Sequence, residues 1–217
     1  LTMDGVDALL ITHLHLDHMG GLAAQRARRV AVPEGFAGGV AKPCYLPAEA
    51  DASGFDPREV NGPRCIEAGL ATTGPLARRL FFYGLMEEQA LVAHLEGKGL
   101  VVVTGCGHPT VEVILEMARR LCDAPLYAVV GGLHFPITRS RSRRWGLEAQ
   151  RLFGTGKPVW RQVTEGDLER TIEVLNAAAP KRLYLSPHDS CNLALDRLEK
   201  EVLADVQVLR AGGSYEL

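Results

Sequence analysis

Apolar residues recur along the chain in two patterns, short continuous runs and runs at helical spacing, and the two alternate. Runs such as "LLIT" and "VVVT" predict buried strands, whereas the spacing in "TVEVILEMARRLC" predicts an amphipathic helix. Strands alternating with helices indicate an α/β layered fold. The predicted strands are residues 6–12, 30–32, 88–95, 100–105, 126–132, 182–188 and 206–210, and the predicted helices are residues 20–29, 110–122, 167–179 and 192–203.

Three expectations concern how these elements are organised. The strands 88–95 and 100–105, joined by "EGKG", should form a hairpin. Residues 33–79 contain Pro and Gly throughout and predict loops and short edge strands. We expect one domain over residues 1–217, with a basic loop insertion at about 136–165. Because the first predicted strand starts so close to Leu1, we also expect further strands upstream of it.

The composition excludes several classes of protein. The chain has 217 residues, of which 47% are hydrophobic and 23% charged, and a formal net charge of −2. A charge so near neutral gives no reason to expect nucleic acid or an anionic membrane as a partner. No apolar run approaches the roughly 18 residues of a membrane-spanning helix. Five widely spaced cysteines, an odd number, argue against a disulfide framework and favour the cytoplasm.

Histidines collect at the ends of the predicted strands, where a sheet fixes the backbone and a loop exposes the side chain. The segment "HLHLDH" places three histidines and Asp17 within six positions, a density with little packing rationale. Imidazole and carboxylate are natural ligands of zinc and its neighbours. Taken singly, a later histidine could equally be an ordinary surface or core residue. The strand-end histidines are His13, His15, His18, His108, His134 and His188; His94 lies mid-strand without a motif, and we expect no role for it.

The segment "HLHLDH" followed by "GG" resembles the signature of the metallo-β-lactamase superfamily. The segments "EEQALVAHLEGKGLVVVTGCGHP", "LYAVVGGLHF" and "LYLSPHDSC" are similar, in order and spacing, to one branch of it, the 7,8-dihydropterin-6-methyl-4-(β-D-ribofuranosyl)-aminobenzene-5′-phosphate synthase-like metallohydrolases. The resemblance covers roughly residues 6–22, 86–135 and 181–191. It implies an αββα sandwich, a four-layer fold with a metal site at the edge of its two sheets.

The resemblance also implies residue roles. One metal ion would be bound by His13, His15 and His108, and a second by Asp17, His18 and His188. Zinc is the expected metal, with manganese or iron as alternatives. Bound metal would activate a hydroxide to hydrolyse an ester, amide or phosphodiester. Asp17 would orient that hydroxide and His134 would protonate the leaving group, although His134 could instead support a ligand or bind metal itself.

The sequence departs from the family pattern at three points. "GCGH" has Gly107 where serine is usual, and "HDSC" stands where the branch has His-Cys-Thr-Gly. Most of the superfamily has an aspartate that bridges the metals after a strand, and "VTGCGH" has none. Cys106 could take a ligand role, but the residues favour a structural cysteine. Two metals are favoured over one.

The basic loop bears on the substrate. Arg139, Arg141 and Arg143 alternate shortly after His134, and in an extended segment they would present one guanidinium face. This predicts that the loop binds a small anionic substrate. The alternatives are that it is a solvated loop or that it forms a contact in a homo-oligomer. Two rival functions are a nuclease of the same superfamily and a non-catalytic metal-binding scaffold protein. The near-neutral charge argues against the first, and the near-complete ligand set against the second.

Overall fold

The computed structural model describes residues 5–32, 41–81, 84–138, 155–158 and 160–217, together with the backbone of residues 143–144 and 147–148. The strands in the first half are β1 (Leu9–Leu10), β2 (Arg29–Val30), β3 (Pro43–Leu46), β4 (Asp51–Ala52), β5 (Asp56–Glu59), β6 (Arg64–Glu67), β7 (Leu70–Thr72), β8 (Leu76–Leu80) and β9 (Gly84–Glu88). Those in the second half are β10 (Leu91–Leu95), β11 (Gly99–Val103), β12 (Leu126–Gly131), β13 (Arg143–Arg144), β14 (Leu147–Glu148), β15 (Arg182–Leu185) and β16 (Asp205–Val208). The helices are α1 (Leu16–Met19), α2 (Leu22–Arg26), α3 (Val111–Leu121), α4 (Glu165–Ala178) and α5 (Asn192–Glu201).

The main sheet has seven strands in the order β16-β15-β12-β11-β10-β7-β6. Its half from β11 to β16 is parallel, and β10, β7 and β6 continue it with antiparallel pairings. Parallel strands need helical crossovers, and α3, α4 and α5 provide them. These helices cover one face of the sheet, and their apolar residues form the largest buried cluster with those of the strands.

Helix α3 shows why the sequence folds this way locally. Val111, Ile114, Leu115 and Ala118 recur at the spacing of one helical face, and all four are buried. They pack against sheet residues such as Val129 in the main cluster. The helical periodicity of the sequence therefore corresponds to the face that α3 turns to the sheet.

A smaller three-stranded parallel sheet, β1-β3-β5, has its own buried cluster around Met19 and Leu46. Gln89, fully buried, joins the two sheets. Its backbone N–H donates to Thr12 O at 2.8 Å, and its side-chain amide donates to Ile11 O at 2.9 Å and Tyr45 O at 3.1 Å. The side-chain oxygen accepts from Thr72 Oγ1 of the main sheet at 2.7 Å. The end of β1 is thereby fixed against the main sheet.

The expected mixed α/β sandwich is confirmed, and so is the hairpin, in which His94 of β10 pairs with Leu100 of β11. The expectation of one helix over residues 20–29 was wrong in detail. Gly20 and Gly21 both have positive φ, at 93° and 114°, and they separate α1 from α2. The predicted strand over residues 6–12 is only the two-residue β1. Residues 43–80 contain six short strands, β3 to β8, of the kind expected there among loops. Within the described residues, no helix is both long and apolar enough to cross a membrane.

Candidate metal centre

The ends of strands from both sheets meet at one edge of the sandwich. His13 and His15 follow β1, and the first turn of α1 carries Asp17 and His18. The loop after β11 carries His108, the segment after β12 carries His134, and the segment after β15 carries His188. The fold therefore brings together all six residues that the sequence predicted as metal ligands.

Three of these histidines form the inner part of the site. The ring centroids of His13, His15 and His108 lie 4.8–5.0 Å from one another. His108 Nε2 lies 3.2 Å from His15 Nδ1. His13 is fully buried, and Thr12 Oγ1 lies 3.1 Å from its Nδ1, which leaves Nε2 to face the cluster.

The other three predicted ligands form the outer part. His188 Nε2 lies 2.8 Å from Asp17 Oδ2, and His18 Nε2 lies 3.7 Å from the same oxygen. The ring of His18 is 4.0 Å from that of His13, so the inner and outer parts are contiguous. Asp17 and His188 are partly exposed, and this side of the site opens to solvent.

The electrostatics of the site keep the imidazoles of His13 and His15 neutral. Burial, together with repulsion among the histidines, lowers the pKa of His13 far below its ordinary value. Burial also lowers the pKa of His15, to about 4, although Asp17 opposes the shift. The hydrogen bond with Asp17 raises the pKa of His188 and lowers that of Asp17 to about 2. Neutral imidazole and ionised carboxylate are the forms that bind a metal ion.

These residues fit a metal ion by two further observations. Among the described residues, His13 Nε2 is buried without a hydrogen-bond partner, an arrangement that costs free energy unless something binds the nitrogen. Two groups of ligand atoms each lie within 4.8 Å of one another: His13, Cys106 and His108 in one, and Asp17, Cys106 and His188 in the other. Cys106, which sequence reasoning favoured as structural, belongs to both groups, and its Sγ lies 3.5 Å from His18 Nε2.

The fully buried Glu88, which no sequence motif marked as part of the site, holds the loop that carries Cys106 and His108. Its Oε1 accepts hydrogen bonds from Thr104 Oγ1 at 2.8 Å, Gly105 N at 3.0 Å and Gly107 N at 2.9 Å. Its Oε2 accepts from His108 N at 2.9 Å. Burial raises the pKa of the Glu88 carboxyl, and these hydrogen bonds oppose that shift. The signal in the sequence was an acidic residue at the start of the apolar run "QALVAHL".

Asp189 is the second residue that the sequence analysis missed. It is buried, and its Oδ2 lies 3.4 Å from His134 Nδ1. His134 has a positive φ of 54°, uncommon for a residue with a side chain, and its ring lies 4.8 Å from that of His108. Neighbouring backbone keeps this pair in place, since Phe135 N donates to Ser190 Oγ at 3.1 Å. The departure from the family pattern at "HDSC" was the available signal.

A pocket of about 270 Å³ opens beside His108 and His134 and extends between α3 and α4. Arg78 enters it from β8, is half-buried, and donates from Nη1 to His108 O at 2.7 Å. Lys157 and Arg170 also line the pocket, and both pair with Asp167. The three cations face two carboxylates, those of Asp167 and Glu112. Glu112 Oε1 also accepts a hydrogen bond from Thr171 Oγ1 at 2.8 Å.

The remaining predicted residues lie elsewhere. His94 is exposed on β10, away from the cluster, as expected. Arg139 and Arg141 lie outside the described residues, and so does the side chain of Arg143, of which only the backbone in β13 is described. The anion-binding face proposed for these three arginines stays a prediction.

Comparison with known proteins places this site in a family. The family model of the metallo-beta-lactamase superfamily matches residues 4–120, just over half of the chain. The fold is similar to the crystal structure of Tm1679, a metal-dependent hydrolase of the beta-lactamase superfamily, with a TM-score of 0.65, 19% identity and coverage of 96% of this chain and 78% of that one. It is also similar to the metallo-beta-lactamase fold protein YhfI from Bacillus subtilis, with a TM-score of 0.51, 13% identity and coverage of 99% and 79%. No curated protein sequence is significantly similar to it. With a family model over more than half of its length, the chain belongs to the metallo-β-lactamase superfamily.

Proposed function

We propose that the protein is a metal-dependent hydrolase that acts on a small anionic ester or phosphodiester with two bound ions, zinc being the first choice. The observation that supports this most directly is the convergence of five histidines and Asp17 at strand ends beside a pocket that Arg78 enters. Two divalent ions at this site would supply a hydroxide at neutral pH and polarise the carbonyl or phosphoryl oxygen of the substrate, which activates the carbon or phosphorus for attack.

The chain's own residues would divide the remaining work. His13, His15 and His108 would bind one ion, and Asp17, His18 and His188 the other. Asp17, on the open side, would also orient the attacking water. Asp189 would hold His134 Nδ1, so that Nε2 faces the reaction and protonates the leaving group. We likewise propose that the protein belongs to the branch of synthase-like metallohydrolases that its sequence resembles.

The pocket supports the anionic character of the substrate. Burial lowers the pKa of the Arg78 guanidinium, but Glu112 and Asp167 oppose the shift and arginine keeps its charge in proteins. Lys157 and Arg170 already share the charge of Asp167, so among the described residues that line the pocket Arg78 is the cation that can face a ligand near His108. A planar guanidinium suits a phosphate or carboxylate group.

The cysteines support a reducing compartment, and we propose the cytoplasm. None of the five, all within the described residues, forms a disulfide.

The test is hydrolysis by metal-loaded protein of bis-p-nitrophenyl phosphate, p-nitrophenyl acetate and RNA, with elemental analysis of the metal. We expect up to two ions per chain and metal-dependent cleavage of the diester. His13→Ala and His188→Ala should each abolish it, because each removes a ligand of a different ion. His94→Ala, an exposed histidine outside the cluster, is the matched control and should keep the parent's rate.

Three results would count against the proposal. A metal content well under one ion per chain after metal-supplemented refolding would exclude the metal site. Equal damage from His94→Ala and His13→Ala would mean that the strand-end histidines are not special. Faster cleavage of RNA than of the small diester would favour the nuclease alternative.

A further inference from the structure

Cys106 occupies the centre of the metal site because of its neighbours in the chain. A Cβ atom at Gly105 would lie 2.4 Å from Thr12 Oγ1 and 3.1 Å from His13 Nδ1. At Gly107, where φ is +75°, a Cβ atom would lie 2.4 Å from Gly132 O. Only glycine on both sides lets the loop after β11 press between the ends of β1 and β12. The thiol between these glycines is 5% exposed.

The position of the sulfur distinguishes Cys106 from the other donors in the cluster. It is the one residue shared by the two groups of ligand atoms, His13 with His108 on one side and Asp17 with His188 on the other. Each group therefore combines two of the proposed ligands of one ion with the same sulfur. Asp189, the buried acid nearby, belongs to neither group; its carboxylate lies beside both His134 Nδ1 and the Cys106 thiol.

We infer that Cys106 is a thiolate ligand shared by both metal ions. The inference rests on the two-ion site proposed above and deepens it. Two divalent ions carry more positive charge than the carboxylate of Asp17 can balance alone, and the proposed histidine ligands are neutral when bound. A thiolate between the ions supplies a second negative charge where both can reach it.

A sulfur ligand also decides the metal. Thiolate is a soft donor and favours zinc, cobalt and cadmium, whereas manganese and magnesium prefer oxygen. Of the zinc, manganese or iron expected from the sequence, a thiolate ligand therefore disfavours manganese and keeps zinc as the first choice, with iron as the alternative. The buried, unpartnered Nε2 of His13, an imidazole donor, fits the same choice.

The test is titration of metal-free protein with cobalt(II), followed by absorbance, because a thiolate bound to cobalt gives a charge-transfer band in the near ultraviolet. We expect the band to grow over both the first and the second equivalent. Cys106→Ser should lose the band while its far-ultraviolet circular dichroism stays that of the parent. Cys106→Ala, whose side chain cannot bind metal, should lose the band as well. Cys191→Ser is the matched control, since Cys191 is as buried but lies in neither group, and it should keep the band.

The outcomes separate the two proposals. A band that persists in Cys106→Ser and Cys106→Ala, or that is absent from a parent with two cobalt ions bound, would overturn the inference. A band that grows over one equivalent only would make Cys106 a ligand of a single ion and overturn its shared role. A parent that hydrolyses none of the substrates but shows the full band would overturn the proposed function and leave the inference standing.

Discussion

Among the described residues no cation pairs with the buried Glu88, so its carboxylate needs hydrogen-bond donors, and it obtains four from one loop. Three are backbone N–H groups of Gly105, Gly107 and His108, so the bonds fix the path of the chain through Cys106 rather than one side chain. Glu88 is a positioning residue, because it acts on the metal site through the loop without reaching the ions.

We expect Glu88→Gln to weaken both the fold and the site. The amide N–H of glutamine is a hydrogen-bond donor, and it would face the N–H groups of the loop, which are donors too. Such a buried mismatch lowers the free energy of unfolding by about 1–3 kcal/mol. Because the loop that carries Cys106 and His108 would no longer be held in place, the affinity for zinc should also fall by about tenfold or more. Urea unfolding of the metal-free protein and competition with a zinc chelator measure the two effects separately.

The matched control is Glu87→Gln on the other face of β9, where burial is only partial. It should change the free energy of unfolding by less than about 0.5 kcal/mol and leave zinc affinity unaltered. Unchanged zinc affinity in Glu88→Gln, with the expected loss of stability, would reduce Glu88 to a purely structural role.

The histidines of the site could be predicted from sequence because His13, His15 and Asp17 are dense in one segment and ligand chemistry is specific. Glu88 and Asp189 could not, since each acts through partners far away in the chain. Glu88 bonds a loop about 20 residues later, and Asp189 faces a histidine 55 residues earlier. Only the fold brings such pairs together.

At the scale of elements, α3, α4 and α5 and the parallel strands of the main sheet could be predicted because each buries one apolar face or run. The strands β5 and β6 could be expected only as short edge strands somewhere within residues 33–79, without bounds or partners. Their sequences, "DPRE" and "RCIE", are mostly exposed, so no apolar pattern marks them. They are strands because a neighbouring strand offers hydrogen bonds, β3 to β5 and β7 to β6. Such edge strands depend on tertiary context.

Helix α4 begins with a local device that the sequence does encode. Thr164 Oγ1 accepts from Asp167 N at 3.4 Å, and Asp167 Oδ2 accepts from Thr164 N at 2.8 Å, which is a capping box. Asp167 also pairs with Lys157 and Arg170. Burial alone would raise the pKa of Asp167, but the hydrogen bonds from Lys157 and Thr164 lower it to about 2, from an ordinary 3.8.

We expect Asp167→Asn to destabilise the protein only where the carboxylate is charged. The amide keeps an oxygen for the cap but loses the ion pairs, which should cost about 1–2 kcal/mol at pH 7. Because the folded pKa lies below the unfolded one, this contribution is complete above pH 3.8 and disappears as the pH falls toward 2. Urea unfolding at several pH values measures it. Glu169→Gln, exposed on the same helix, is the control; a gap between Asp167→Asn and the parent that did not narrow in acid would contradict the account.

At the scale of the whole molecule, two cores of unequal size meet at the metal site. The main sheet and its helices bury the large cluster around Val102 and Leu183, whereas the three-stranded sheet has the small one around Met19. Gln89 provides hydrogen bonds between them. The proposed ligands come from both sides, since His13 follows β1 and His188 follows β15. A metal ion bound there would cross-link the two parts.

Amide hydrogen exchange should reveal this cross-link. In metal-free protein we expect the amides of β3 to exchange by local opening, faster than those of β12, because the smaller cluster offers less stabilisation. Zinc at about 100 times its dissociation constant stabilises the closed form by about 2.7 kcal/mol, so protection of β3 should rise by up to about a hundredfold. His94→Ala should respond as the parent does, and His188→Ala should respond less, because it has lost a ligand on the main-sheet side. Equal protection of β3 and β12 without metal would mean that the molecule opens as one unit. Zinc could then not act as a cross-link between the main sheet and the three-stranded sheet.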